Sequence, residues 1–172
     1  MQGRVRAARR EDADALALVA GATFLETYAG IVPAGDIVAH VAEKCSAAFF
    51  RDWIARNDHH VAIAEHDEGD APIGFTALTP PDLPIALQAG DVELRRIYVL
   101  APAHGTGLGH RLMNRAVEDA RALGGTRLVL GVHGGNSHAH RFYERQGFVL
   151  AGTRRFRVGE SWFDDLVYAR AI

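Results

Sequence analysis

The sequence predicts a mixed α/β fold: a central, mostly antiparallel twisted sheet of about seven strands with helices on both faces. Three features lead there. Segments 60–65 and 73–78 alternate with period 2 around Asp67-Glu68-Gly69-Asp70, a hairpin-turn composition, so the early strands run antiparallel. A strand at 92–99, a helix at 107–123 and a strand at 128–132 make a crossover, which joins parallel neighbours. Two more strands, 148–156 and 163–169, follow a last helix.

In chain order, residues 4–8 are a first strand. From 13 to 29, Leu16, Val19, Ala20, Thr23, Phe24, Thr27 and Tyr28 recur at helical spacing and form one stripe. Pro33 ends the next turn, and 34–45 is a second helix, with Cys45 in phase with Ile37, Val38 and Val41 as a small buried hydrophobe. Ser46 is an N-cap for a third helix carrying Phe49, Phe50, Trp53 and Ile54. After the hairpin, Pro80, Pro81 and Pro84 mark a loop. The helix at 107–123 places Leu108, Leu112, Met113, Ala116, Val117 and Ala120 on one side and stops at Gly124-Gly125. Residues 128–132 are apolar throughout, as in a strand covered on both faces. The last helix, 137–146, stops at Gly147.

The 172 residues fit one domain, 1–172, with 48% hydrophobic and 23% charged residues, enough for a core without staples. A net charge of −2 gives no reason to expect nucleic acid or an anionic membrane as partner. Cys45 is alone and no disulfide can form within the chain, which points to a reducing compartment. No apolar run has membrane-spanning length, and residues 1–10 lack the apolar stretch of a signal peptide, so a cytoplasmic location is expected. His133, His138 and His140 cluster, but His138 and His140 are two apart on a helix and diverge; no metal is expected.

The candidate site begins where the 92–99 strand meets a helix through His104-Gly105-Thr106-Gly107-Leu108-Gly109. Glycines let backbone N–H groups converge and let a ligand approach closely, and the helix start adds free amides and a positive dipole end. A diphosphate fits such a cradle. A P-loop is excluded, because no Lys follows Lys44. A dinucleotide fingerprint fails too: His110 stands where its third glycine would be, and no carboxylate occurs near 128–130.

The run Glu93-Leu94-Arg95-Arg96-Ile97-Tyr98-Val99-Leu100, then His104-x-x-Gly107-x-Gly109, then Asn136-x-x-Ala139-x-x-Phe142-Tyr143-x-x-x-Gly147-Phe148 resembles the GNAT superfamily of N-acetyltransferases. The element order agrees over residues 4–170. His104 departs from the Arg or Gln that usually opens the family's glycine loop. The resemblance implies a GNAT-like fold, acetyl-CoA as cosubstrate, and direct acetyl transfer to a primary amine. By the same resemblance, Ile97, Tyr98 and Val99 pair with the pantetheine arm, and the Val99 N–H meets the thioester carbonyl. Gly105, Thr106, Gly107, Leu108, Gly109 and His110, with His104, wrap the diphosphate. Asn136 bonds the arm while capping its helix, Phe142 lies on the cofactor side, and Tyr143 protonates the departing thiolate.

An alkyl ammonium has a pKa near ~10 and must lose a proton before it attacks. Glu93 is the candidate base: four residues before Ile97, it is expected on the same sheet face. Thr23-Phe24-Leu25-Glu26-Thr27-Tyr28, the 93–100 strand and Val158-Gly159 with Asp164 or Asp165 resemble bacterial spermidine/spermine N-acetyltransferases, implying a polyamine acceptor. Glu26, Asp91, Glu93, Glu160, Asp164 and Asp165 could serve a polyamine; Arg154, Arg155 and Arg157 oppose it if they share the cleft. Acetylation of a protein N-terminus or lysine, and a non-catalytic acetyl-CoA sensor, stay open, as does a homodimer.

Overall fold

The computed structural model describes residues 3–172; Met1 and Gln2, part of the segment examined for a signal peptide, lie outside it. The elements are β1 (Gly3–Ala7), α1 (Ala13–Tyr28), α2 (Ala34–Lys44), α3 (Ala47–Ala55), β2 (His60–His66), β3 (Pro72–Thr79), β4 (Asp91–Val99), α4 (Leu108–Ala122), β5 (Arg127–His133), α5 (Ser137–Arg145), β6 (Val149–Val158) and β7 (Ser161–Ala171). They form one seven-stranded sheet in the order β1-β2-β3-β4-β5-β7-β6. Strands β1 to β4 are antiparallel neighbours, β4 and β5 are parallel across α4, and β7 inserts antiparallel between β5 and β6. The mixed sheet expected from the sequence is therefore present, with boundaries within a few residues.

Two cores cover the sheet. On one face α1 and α3 set Leu16, Ala20 and Phe50 against Ile63, Phe75 and Ala77. On the other, the α4 stripe expected from the sequence packs as a unit: Met113, Ala116, Val117 and Ala120 meet Leu78, Val92, Leu94 and Leu128, while Leu108 and Leu112 meet Ala64 and Ile73. Ser46 caps α3, its hydroxyl accepting from the Phe49 N–H at 3.2 Å. A smaller cluster joins Phe24 and Tyr28 of α1, Ile37 of α2 and Val158 of β6, so the β6–β7 hairpin folds over the ends of the first helices. The apolar phase of α2 is narrower than expected: Ile37 is buried, Val38 is exposed, and Cys45 is buried just past the last turn. No helix among the described residues is long and apolar enough to cross a membrane.

The parallel β4–β5 contact is anchored by an ion pair. Arg127 Nε and Nη2 donate to Asp91 Oδ1 and Oδ2 at 2.6 and 2.7 Å, and the Gln88 N–H donates to Oδ2 at 2.8 Å. The Asp91 side chain is fully buried, and the Arg127 bond holds its carboxyl below the ordinary range. A group whose pKa is lowered by folding stabilises the fold fully above its unfolded value near ~3.9 and loses that stabilisation as pH falls through its folded value. Asp91→Asn is expected to cost about 2–3 kcal/mol of unfolding free energy at pH 7. In urea titrations that difference should shrink below about pH 4; a pH-independent difference would show that the charge of Asp91 is not what stabilises the contact.

Candidate active site

Strands β4 and β5 pair over three residues only, Asp91↔Arg127, Val92↔Leu128 and Glu93↔Val129. Beyond Glu93 they part. In the β3–β4 ladder Ala77 faces Arg96 and Leu78 faces Leu94, so Arg95 is an extra residue in β4. Such a bulge bends the strand that carries it and increases its twist. A cleft of about 1140 Å³ fills the opening, with residues 94–99 on one wall and 131–133 on the other. The Leu100 N–H donates to Ile73 of β3. Alternation then turns the Val99 N–H and C=O to the opposite edge, which β5 has left. The Val99 carbonyl is taken by His104, whose Nε2 lies 2.9 Å away. The Val99 N–H still faces the cleft.

The bulge overturns one expectation. Period 2 put Glu93 and Ile97 on one face; the extra residue at Arg95 inverts the phase between them. Ile97 packs with Leu94 on the α4 side, whereas Glu93 lies on the other face, 1% exposed. Its carboxylate accepts from Arg95 Nη1 at 2.9 and 3.1 Å and from the Asp82 N–H at 2.8 Å. Arg95 lines the cleft; Glu93 does not.

The glycine loop closes one end. Gly105, Gly107, Gly109 and His110 line the cleft. Gly105 and Gly107 have φ of 77° and 82°, the left-handed region, and a Cβ on either would project into open space. The first helical bond of α4 is Arg111 N–H to Gly107 C=O, so the N–H groups of Leu108, Gly109 and His110 have no partner in the helix. Leu108 itself points into the core and Thr106 bonds the Ala103 carbonyl at 2.8 Å, so both serve the loop through backbone. The His110 ring meets Gln146 Oε1 at 3.1 Å.

Helix α5 forms the adjoining wall. Asn136 lines the cleft and caps the helix, Oδ1 accepting from the Ala139 N–H at 3.1 Å, which leaves its amide donors free. A Cβ at Gly109 would only touch the Phe142 ring, at 3.5 Å. Tyr143 is 8% exposed, packed between Phe142 and Phe148, and burial pushes its pKa above the ordinary tyrosine value. The histidines diverge as their spacing implied: His138 stacks on His104 and His140 bonds the Gly134 carbonyl.

The far end of the cleft adds His133, His40 and Cys45, to which the sequence reading gave no role in the site, to Asp165 and Arg154, which it had weighed for and against a polyamine. His133 of β5 lies between Tyr28 and Phe163, and its Nδ1 is the one buried side-chain nitrogen or oxygen among the described residues without a hydrogen-bond partner. Asp165 Oδ1 is 4.0 Å from it, and Asp165 Oδ2 accepts from Arg154 Nε at 3.1 Å. Burial raises the Asp165 pKa. His40 stacks on Phe24 and is held at about 4 by burial and by the charges of Arg96 and Lys44. Cys45 also borders the cleft despite its distance in sequence, and burial raises its thiol pKa. Phe24 and Tyr28 had the spacing of ordinary core residues, and His133 was grouped with histidines it does not approach.

Residues 27–148 match the profile of the acetyltransferase (GNAT) family. An uncharacterized N-acetyltransferase of Mycobacterium tuberculosis is 34% identical over 161 residues, covering 94% of this chain and 98% of the relative. A mycothiol acetyltransferase of Beutenbergia cavernae is 36% identical over 87 residues, 49% of this chain and 27% of that one. Among solved structures, the PaiA N-acetyltransferase of Thermoplasma acidophilum, crystallised with coenzyme A, superposes with a TM-score of 0.82 at 26% identity, covering 100% of both chains.

The left-handed turn at Gly107 makes a prediction of its own. Gly107→Ala meets no neighbour but forces an L side chain into a conformation costing about 1–2 kcal/mol. Thermal melts should show that loss, and an unchanged midpoint would mean that the loop relaxes to another turn.

Proposed function

The chain belongs to the acetyltransferase (GNAT) family and is an N-acetyltransferase, and from that premise we propose that its cleft binds acetyl-CoA and directs the acetyl group onto a primary amine of a small molecule. The observation that carries this reading is the parted β4–β5 pair, with an N–H-rich loop at one end and a buried tyrosine on the adjoining wall.

The residues present fit the cosubstrate. The free N–H groups at the start of α4 and the left-handed glycines suit a diphosphate. His104 is already engaged with the Val99 carbonyl, so the backbone of residues 105–110 is the main cradle. The free edge of β4 offers the backbone groups of Ile97 and Val99 to an extended arm, while Tyr98 between them turns its own to β3, with Asn136 and Phe142 opposite. Bound acetyl-CoA would supply the activated acetyl carbonyl. The Val99 N–H is the donor for charge that develops on the carbonyl oxygen. Tyr143 keeps its proton through burial and donates it to the departing sulfur. The Cys45 thiol is likewise held protonated, in keeping with transfer that uses no enzyme-bound acyl group.

The amine proton needs an acceptor. Glu93, the base expected from sequence, stands behind the strand and holds Arg95; in this reading it is a positioning residue. Asp165 lines the cleft, and its raised pKa makes it a stronger base than an exposed aspartate. His133 beside it offers an unpartnered nitrogen. The β6–β7 hairpin packed over α1 and α2 covers the acceptor end, which favours a small molecule over a protein segment. Of the carboxylates suited to a polyamine, Glu26 and Asp165 line the cleft, while Asp91 is tied to Arg127. Arg154 and Arg157 also line it; Arg155 turns outward onto Trp162. These cations beside Glu26 and Asp165 disfavour a polyamine.

Release of CoA thiol across a panel of amines tests the activity. Tyr143→Phe is expected to lower kcat about a hundredfold with little change in acetyl-CoA affinity; an unchanged kcat would remove Tyr143 as the acid. The wild-type rate should fall as pH drops through the raised Asp165 pKa. Asp165→Asn should abolish that acid limb, and Glu93→Gln should leave it in place. The opposite pattern would return the base to Glu93.

A further inference from the structure

The cations of the acceptor end are mostly matched. Lys44 pairs with Glu43, Arg95 with Glu93, Arg154 with Asp165 and Arg157 with Glu160. Arg96 is the exception: among the described residues no carboxylate lies within ion-pair distance of it. Arg96 is half-buried, its guanidinium set over three rings, 5.0 Å from Phe49, 5.7 Å from Phe50 and 5.1 Å from Trp53. The rings hold the cation but accept none of its N–H groups edge-on. Its side-chain hydrogen bond among the described residues is a long one, from Nη1 to Cys45 Sγ at 4.0 Å. His40 nearby is kept neutral, so it adds no second positive charge. Arg96 lines the cleft, and a guanidinium carries five N–H donors, so this fork is open to an acceptor that enters the cleft.

We propose that Arg96 receives an anionic group, in the first place a carboxylate, carried by the acceptor amine itself. The inference rests on the N-acetyltransferase reading and names its acceptor class. A planar guanidinium fixed by stacking is preorganised for bidentate contact with an oxyanion. Arg96 precedes Val99 by three residues on β4, about 10 Å along the strand. An acceptor that reaches both places therefore carries its amine and its anion several bonds apart, as in an ω-amino acid, and farther apart than in a free α-amino acid. A second ammonium at this position would instead face an unmatched guanidinium, which disfavours a diamine.

Three acceptors of equal length isolate the effect: 6-aminohexanoate, hexylamine and 1,6-hexanediamine. With wild-type enzyme kcat/KM should be highest for 6-aminohexanoate, about tenfold or more above hexylamine, and lowest for the diamine. Arg96→Gln should bring the first two within about twofold of each other. Arg96→Lys, which keeps the charge without the fork, should retain part of the preference and covers the case of a misfolded glutamine variant. A direct readout needs no turnover. Trp53 stacks on Arg96, and the other tryptophan, Trp162, is removed by Trp162→Phe. Hexanoate or hexyl phosphate should then change Trp53 fluorescence saturably; the two arms tell carboxylate from phosphate, and Arg96→Gln should abolish either response. Preference for the diamine, an acceptor ranking unaltered in Arg96→Gln, or flat titrations with both anions would overturn the proposal. Saturable anion binding without thiol release from any amine would leave the subsite standing and defeat the acetyltransferase reading instead.

Discussion

The molecule depends on where β4 stops pairing with β5. Three paired residues, locked by the buried Asp91–Arg127 contact, hold the two halves of the sheet together. One extra residue at Arg95 then turns β4 away. Everything that lines the cleft follows from that parting. It exposes a free strand edge at Val99, sets α4 with its open N–H groups at the end of the gap, and brings α5 alongside. A continuous ladder would have satisfied the same backbone groups internally and left no room between the strands.

The parts of this arrangement legible in the sequence are those written in local chemistry. The α4 stripe, the Ser46 and Asn136 caps and the left-handed glycines each follow from a rule that acts within a few residues. The bulge does not. Arg95 is an ordinary residue by propensity, and its register depends on a partner strand sixteen or more positions away. A single unpaired residue inverted the predicted face of Glu93, because side-chain direction in a strand has period 2. The acceptor end was hidden for a related reason. Its groups come from α1, α2, α3, β4, β5, β6 and β7, and nothing local distinguishes Tyr28 or His133 from a core or surface residue of the same type.

The two ends of the cleft use different electrostatics. At the glycine loop the positive potential comes from backbone amides and a helix start, which need no counter-charge and cannot titrate. At the acceptor end it comes from side chains, each of which needs an answering carboxylate. Arg95, Arg154 and Arg157 have theirs. Arg96 does not, and in the proposed function the acceptor completes the pairing.

Burial acts in the same direction on Tyr143 and Asp165, raising both pKa values, yet its chemical consequences are opposite. A tyrosine begins near ~10, so a further rise fixes the proton on its oxygen at any working pH and leaves a donor. An aspartate begins near ~3.9, so a rise carries it toward neutrality, where a carboxylate still ionised is a better proton acceptor. Burial at two places therefore prepares an acid and a base, as the proposed transfer requires: a proton taken from the amine at one wall and another given to sulfur at the other. In the proposed transfer both groups act best where water is kept from them. The β6–β7 hairpin packs on the aromatic residues of α1 at the acceptor end, so in the proposed function residues far from the motif serve the chemistry.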